Sequence, residues 1–210
     1  AWQDTRYRLE SDDGTTSRAR TRALKYRATF GLDGPVAEAD QTLALAQDWI
    51  TDEATGVADN RRETRSTALE YRGAYANGLD IQLGLRHDDS SDFESKTTWN
   101  AGLSWAIQGT PWRLHASAGT GVVNPQYYQL LGGYGTVGNP NLVPEENRSV
   151  DLGLEYRLPD GRGLVDVTWF RDRLENAIEY SGAPLPDGSN YRNIDGTSRR
   201  EGVEVADVTH

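Results

Sequence analysis

Hydrophobic and polar residues alternate at every second position over long parts of the chain, which is the periodicity of a β-strand rather than of a helix. Between residues 79 and 86, leucine and isoleucine occupy one set of alternate positions, and small or polar residues occupy the other. Between residues 150 and 158 the second set contains Asp151, Glu155 and Arg157. Because the core of a soluble sandwich does not accept unpaired charges, the pattern predicts that this second face contacts water.

The alternation recurs often enough to predict about ten strands. They are residues 1–9, 24–32, 43–50, 66–75, 79–86, 99–107, 112–119, 150–158, 164–180 and 191–208. Most have about the length of tilted strands that span a membrane. Between residues 18 and 26 the alternation slips by one position, which predicts a β-bulge at Ala23 and Leu24.

The predicted connections alternate between short and long. Short turns with glycine or proline lie at residues 33–35, 76–78, 108–111 and 159–161, and longer polar loops lie at residues 51–62, 88–96, 120–147 and 181–190. In a meander, every second connection lies on the same side. The sequence therefore predicts an all-β fold, an antiparallel up-and-down transmembrane β-barrel with short periplasmic turns and long extracellular loops.

Aromatic residues fall near the ends of the predicted strands, on the face that we place towards lipid. They are Trp49, Tyr71, Tyr75, Trp105, Trp112, Tyr156 and Trp169. Rings at the two membrane–water interfaces are typical of membrane barrels. The same rings would fit the core of a soluble sandwich, so the pattern alone leaves that alternative open.

The composition agrees with a wall that has one lipid face and one water face. Only 36% of the residues are hydrophobic, yet the 210 residues include 6 Trp and 10 Tyr, which is too aromatic for a disordered polar segment. The formal net charge of -10 argues against a nucleic-acid partner. No apolar stretch has the length of a membrane-spanning helix. Residues 1–6 include no signal-peptide core, so we expect an exported precursor to begin upstream.

The residue types that carry enzymatic or metal chemistry are scattered. His87, His115 and His210 lack the spacing of common zinc motifs, and 0 Cys excludes thiolate ligands. The acidic residues at 88–94 could hold Ca²⁺ in an extracellular loop, but they lack EF-hand spacing and are best interpreted as a solvated loop. No nucleophile elbow accompanies the serines. We predict no catalytic residue, no metal site and no cofactor.

The second half of the chain, residues 112–206, resembles TonB-dependent receptor barrels. In that family a strand ends in a Gly-Thr-Gly turn, and an aromatic loop leads to Gly-Asn-Pro-x-Leu-x-Pro-Glu before the next strand. A Gly-Val-Glu strand follows later. The matching residues here are Gly119, Gly121, Asn139, Pro140, Leu142, Pro144, Glu145, Gly202 and Glu204. Val122, Val123 and Val143 depart from the family pattern.

We interpret this motif as mainly structural, because proline and glycine are first of all backbone devices. The candidates for ligand contact are aromatic and polar residues in the long loop, where a bulky chelate would arrive. They are Tyr127, Tyr128, Gln129 and Tyr134. Loop packing would also account for these rings.

The resemblance implies an outer-membrane receptor that imports a ferric siderophore or cobalamin. Such receptors have about 22 strands and a plugged lumen, and the TonB complex energises them through a segment ahead of the plug. We expect residues 1–210 to be one partial barrel domain, without the plug and the terminal strands, in contact with outer-membrane lipid. Two alternatives remain open, a passive porin-like barrel or barrel enzyme, and a soluble β-rich binding module.

Overall fold

Ten long strands make up most of the computed structural model, which describes residues 1–10, 16–55, 60–133, 135–159 and 161–209. The long strands are β1 (Trp2–Glu10), β2 (Thr16–Gly31), β3 (Gln41–Thr55), β4 (Asn60–Ala74), β5 (Leu79–Ser90), β6 (Lys96–Ala106), β7 (Trp112–Val123), β8 (Glu145–Arg157), β9 (Gly163–Glu175) and β12 (Thr197–Thr209). A short helix, α1 (Tyr127–Leu131), and the strands β10 (Ile178–Tyr180) and β11 (Tyr191–Asn193) lie in the connections. The described residues contain no helix long and apolar enough to cross a membrane.

The ten long strands form a single antiparallel sheet. Each strand pairs with its neighbour in the chain, in the order β1 to β9 followed by β12. β1 and β12 are the edge strands, and β10 pairs with β11 in a separate hairpin. The predicted meander of about ten strands is confirmed.

One face of the sheet is apolar and exposed, and we call it the apolar face. Leu103 is 43% exposed and Leu154 is 39% exposed, and Leu83 and Leu152 are also open to the surroundings. Cross-strand pairs such as Leu114 with Leu154 place these side chains side by side. In the part of the chain that the structure describes, the buried hydrophobic residues are Ala23, Ala44, Leu142 and Tyr191. The strands therefore enclose no hydrophobic core of their own.

The opposite face, the polar face, carries ion pairs and hydrogen bonds. Arg27 and Glu70 lie 3.2 Å apart, as closest nitrogen and oxygen. The ring of His115 is hydrogen-bonded to Asp166 at 2.6 Å, and Ser117 donates to Asp151 at 2.8 Å. The residues that alternate in the sequence thus lie on opposite faces of the sheet, one face suited to contact with lipid and the other to contact with water.

The predicted β-bulge at Ala23 and Leu24 is wrong. β2 pairs residue for residue with β1 and β3 throughout, and Leu24 lies opposite Trp49 while Arg22 lies opposite Thr51. Arg22 therefore shares the apolar face with Leu24. The apparent slip arises because this face changes from apolar to charged along a continuous strand.

Two of the predicted long loops are partly strand. β3 extends to Thr55 and β4 begins at Asn60, within the predicted loop 51–62, and β5 and β6 extend into the predicted loop 88–96. The connection at residues 32–40 is longer than the predicted turn at 33–35. Within the described residues the longest connections are those at residues 124–144 and 176–196, and both lie at the same end of the sheet, which we call the loop end.

At the other end, the turn end, aromatic side chains gather on the apolar face. The rings of Trp112 and Tyr156 lie 4.6 Å apart, and Trp105 Nε1 donates to the carbonyl of Asn77 at 3.3 Å. Trp49 lies in the middle of β3, opposite Leu24 and Arg65, where charged residues begin on the apolar face. Trp169 differs from the expectation, because it pairs with Leu152 and Val203 in the middle of its strand.

Candidate ligand-binding loops

The two long connections at the loop end pack against each other. The first loop, residues 124–144, joins β7 to β8 and contains α1. The second loop, residues 176–196, joins β9 to β12 and contains the β10–β11 hairpin. Because β7, β8, β9 and β12 are consecutive in the sheet, the loops emerge as neighbours.

The first loop is organised around its short helix. The backbone N–H of Gln126 donates to Gln129 Oε1 at 2.7 Å, and the N–H of Asn139 donates to the carbonyl of Gln129 at 2.7 Å. A Cβ atom at Gly138 would lie 2.2 Å from the nitrogen of Gly132, so only glycine permits this close return of the chain. Pro125 is fully buried. The loop is thus tied to its own helix.

Asparagine side chains join the second loop to the first. Asn190 Oδ1 accepts the N–H of Val137 at 2.8 Å, and Asn139 Nδ2 donates to the carbonyl of Tyr191 at 2.9 Å. Asn193 bonds both backbone groups of Val143, accepting its N–H at 2.9 Å and donating to its carbonyl at 3.0 Å. Carboxamides suit this role because each has both donors and an acceptor.

The Pro-Glu end of the motif fixes the start of the second loop. Glu145 Oε1 accepts the N–H of Ile178 at 2.6 Å, and Asn176 Nδ2 donates to the carbonyl of Pro144 at 3.5 Å. Asn176 has a φ of 57°, in the left-handed region that asparagine tolerates better than most residues. These contacts connect the loops directly beside the sheet.

Arg62, near the loop end of β4, connects three parts of the structure. Its side chain is only 12% exposed and pairs with Asp92 at 2.9 Å. Its guanidinium donates to the carbonyl of Pro125 at 3.1 Å and lies over the rings of Phe93 and Tyr127, about 5 Å from each centroid. Arg62 thereby holds the connection between β5 and β6 against the first loop.

A cluster of tyrosine rings spans the two loops. The ring of Tyr191 lies 6.0 Å from that of Tyr128 and 5.4 Å from that of Tyr180. Tyr191 is 6% exposed, whereas Tyr180 is 56% exposed and Tyr128 is also exposed. The cluster therefore presents aromatic surface on a buried base, which suits contact with a large amphipathic ligand.

The predicted ligand-contacting residues have different surroundings. Tyr128 belongs to the exposed cluster, and Tyr127 is half-buried, with its hydroxyl donating to the carbonyl of Asp52 at 3.2 Å. The Gln129 side chain is engaged within α1. Tyr134 lies outside the described residues.

The predicted motif residues lie along the same loops and strands. Leu142 is buried next to Pro140 and Asn141, and Gly202 faces the Phe170 ring, 3.0 Å from where a Cβ would be placed. A Cβ at Gly119 would lie 3.0 Å from the carbonyl oxygen of Trp99. Gly121 is in β7, and Glu204 is exposed opposite Thr168. Their contacts are with the protein's own backbone and side chains.

Several residues that shape these loops carried no separate signal in the sequence. Arg62 and Pro125 are 63 positions apart, and Asn193 and Val143 are 50 positions apart. In the sequence, Arg62 and Asn193 cannot be distinguished from ordinary surface residues, because their partners lie close to them only in the folded structure. Tyr191 begins the predicted strand 191–208, but its burial depends on the packing of the other loop.

Local surroundings shift the pKa of two groups in these loops. Partial burial raises the pKa of Tyr127 to about 12. Hydrogen bonds from the backbone N–H and the hydroxyl of Ser189, at 3.0 Å and 2.8 Å, hold the pKa of Asp187 below its usual value. Among the described residues no group of three or more His, Asp or Glu side chains is arranged to hold a metal ion.

Comparison with known proteins gives a consistent family. A family model described as TonB dependent receptor-like, beta-barrel, matches residues 2–209. The vitamin B12 transporter BtuB of Vibrio vulnificus (strain YJ016) is 30% identical over 172 residues, which cover 78% of this chain and 27% of the transporter.

Solved structures agree on the fold. The siderophore receptor PirA from Pseudomonas aeruginosa has a TM-score of 0.76 at 24% identity, covering 91% of this chain and 37% of the receptor. A variant of the ferric enterobactin receptor PfeA from the same species has a TM-score of 0.75 at 18% identity, covering 97% of this chain and 37% of that receptor. The chain thus spans well under half the length of these relatives. Members of the matched family are receptors and transporters and not enzymes. This chain belongs to the TonB-dependent receptor family, within its β-barrel.

Proposed function

We propose that this chain forms part of the barrel wall of an outer-membrane receptor that takes up a ferric siderophore or cobalamin with energy from TonB. The observation that carries the proposal is the division of the sheet into two faces. Exposed leucines such as Leu83 and Leu152 suit contact with lipid, and the ion-paired face suits an aqueous lumen. The proposed ligand class follows that of the relatives, a vitamin B12 transporter and siderophore receptors.

In this proposal, residues 1–210 are one partial barrel domain, and further strands of the natural protein pair with β1 and β12. An open edge leaves backbone N–H and C=O groups unpaired, which is very unfavourable in hydrocarbon. A plug in the lumen would complete the ligand site and carry the segment that the TonB complex contacts. The loop end would face the outside of the cell.

The proposed ligand surface is the tyrosine cluster that joins the two loops. Tyr128 and Tyr180 offer exposed rings, and the buried ring of Tyr191 supports them. Tyr127 and Gln129 hold the first loop in place, and Tyr134 remains a further proposed contact. Tyr128→Ala is expected to weaken ligand uptake at low ligand concentration while leaving the barrel folded.

Uptake by whole cells tests the proposal. The gene for the natural full-length protein is deleted, and entry of radiolabelled cobalamin and of several radiolabelled ferric siderophores is measured. We expect one ligand class to lose uptake, and we expect the same loss when the gene for TonB is deleted. Uptake that persists without TonB would instead indicate a passive porin-like barrel.

Membrane placement is tested separately. The full-length protein should fractionate with outer membranes and show a gel mobility that changes on heating, as folded membrane barrels do. A protein that stays monomeric and folded without detergent would overturn the proposal in favour of a soluble β-rich binding module.

A further inference from the structure

Three arginines lie in one row across neighbouring strands, on the apolar face at the loop end. Arg148 of β8 is directly opposite Arg173 of β9, and Arg173 is directly opposite Arg199 of β12. All three side chains are exposed. We call them the arginine row. Like charges directly opposite each other destabilise a sheet unless something neutralises them.

The arginine row is separated from the apolar part of this face by one mixed row of residues. Two residues further into the face, Val150 is opposite Arg171, which is in turn opposite Glu201. The following row holds only hydrophobic residues, Leu152, Trp169 and Val203. Two residues span about 7 Å along a strand. The row is therefore placed where lipid headgroups begin, if the apolar face contacts lipid.

Protein carboxylates neutralise this row incompletely. Glu201 pairs with Arg199 and with Arg171, at 3.0 Å and 3.1 Å from their Nε atoms. The guanidinium groups of Arg148 and Arg173 form no ion pair or hydrogen bond within the described part of the chain.

Two further carboxylates lie in the next row towards the loops. Glu146 and Glu175 are opposite each other there, and Glu146 pairs with Lys96 at 2.7 Å. Neither of them forms an ion pair with the arginine row.

The same face is neutralised differently on the first strands. Arg20 pairs with Asp4 at 2.8 Å, and Arg61 pairs with Glu63 at 2.5 Å. Arg22 pairs with Glu53. There, Arg20, Arg22 and Arg61 each have a carboxylate close by. In a chain with a formal net charge of -10, two unpaired arginines that face each other are a local exception.

We propose that the arginine row binds a phosphate group of a lipid headgroup in the leaflet beside the loop end. Guanidinium groups bind phosphate through paired, charge-assisted hydrogen bonds, and a phosphate between Arg148 and Arg173 would offset their mutual repulsion. The apolar rows below would contact the acyl chains of the same lipid. This inference rests on the membrane placement in the proposed function.

The test uses the natural full-length protein, purified in detergent with three probes added separately: lipid A carrying its phosphates, dephosphorylated lipid A, and inorganic phosphate. Native mass spectrometry measures the lipid that remains bound, and inorganic phosphate is also added as a competitor. The variant carries Arg148→Gln, Arg173→Gln and Arg199→Gln together. The matched control is Arg200→Gln, because Arg200 is adjacent in β12 but on the polar face, paired with Asp172.

We expect the wild type and the control to retain phosphorylated lipid A. Each arginine near an anionic group contributes about fivefold in affinity, so the triple variant should lose retention by on the order of 100-fold. Dephosphorylated lipid A should bind the wild type as weakly as phosphorylated lipid A binds the triple variant. The single variant Arg173→Gln should lie between them.

Equal retention of phosphorylated lipid A by the wild type and the triple variant would overturn the proposal, and so would equal binding of both forms of lipid A. Binding of inorganic phosphate without lipid retention would overturn the lipid assignment. Heat-modifiable gel mobility of every variant shows that the barrel is folded. A folded barrel that fails these binding tests counts against the arginine row alone, whereas a protein that never enters the membrane counts against the proposed function.

Discussion

At the scale of single residues, Arg62 shows how a charged side chain stabilises a surface structure. Exposed ion pairs contribute little, because water competes for both partners. Arg62 is shielded by two aromatic rings and satisfies both a carboxylate and a backbone carbonyl. Hydrogen bonds to charged groups in such surroundings contribute about 1.5–3 kcal/mol each.

Arg62→Gln should loosen the first loop. Loss of about 2 kcal/mol would raise the opening equilibrium of the loop about 30-fold. Hydrogen exchange of residues 124–133 in the full-length protein measures the change. Arg61→Gln is the control, since Arg61 is exposed and on the other face. Equal exchange in the two variants would show that Arg62 does not hold the loop.

The raised pKa of Tyr127 makes the first loop sensitive to alkaline pH. The folded loop disfavours the phenolate form of Tyr127. The contribution of this residue to the stability of the loop is therefore fully present below pH 10 and is lost as the pH rises from 10 towards about 12. The ultraviolet absorbance of tyrosinate, compared between wild type and Tyr127→Phe, should reveal one phenol that ionises near pH 12. A difference spectrum that develops near pH 10 would contradict this.

At the scale of elements, the two loops behave as one unit because asparagine side chains replace the backbone pairing that strands would provide. Asn193 alone makes three hydrogen bonds, two to Val143 and one to the carbonyl of Asn176 at 2.7 Å. These bonds attach the β10–β11 hairpin, whose own pairing covers only three residue pairs, to the first loop.

Asn193→Ala should detach the hairpin from the first loop. We expect a loss of about 2–3 kcal/mol, because the backbone groups of Val143 lose their partners. The rate of proteolytic cleavage within residues 181–190 should rise by about 30-fold or more. Asn141→Ala is the control, because Asn141 is an exposed asparagine of the first loop. Similar cleavage of both variants would mean that the hairpin is held elsewhere.

At the scale of the whole molecule, the wall is stabilised without a hydrophobic core. Its backbone is satisfied by nine consecutive strand pairings, and its apolar side chains point away from the rest of the protein. In water such a surface would promote aggregation, whereas in lipid it is solvated. The surroundings therefore supply the apolar contacts that a soluble domain provides internally.

A charge should consequently destabilise the protein at one residue and have little effect at the adjacent residue, which lies on the other face. Ala101 lies on the apolar face opposite Leu83 and Ala118, and Asn100 lies on the polar face. Ala101→Arg should lower the free energy of unfolding in lipid vesicles by about 2–4 kcal/mol. Asn100→Arg should change it by about 0.5 kcal/mol or less. Denaturant titration of the full-length protein measures both, and equal effects would contradict the assignment of the two faces.

Much of this architecture was predictable because strand alternation is a local property. The face of the sheet on which Leu103 or Asp151 lies can be predicted from the residues next to it in the sequence. The bulge at Ala23 and the loop at residues 51–62 were mispredicted for one reason. Both predictions assume that a strand ends where its apolar residues end. In the structure, β2, β3 and β4 continue as paired strands with charged residues on both faces.

The amino-acid sequence by itself determined the strand periodicity, the number of strands and the family, because each depends on residues that are close together in the chain. The tertiary structure alone decided which side chains meet: the pairing of Arg148 with Arg173, the contact of Arg62 with the first loop, and the joining of the loops by Asn193. The physical reason is that strand register and loop packing set distances between residues far apart in sequence, and no local pattern encodes those distances.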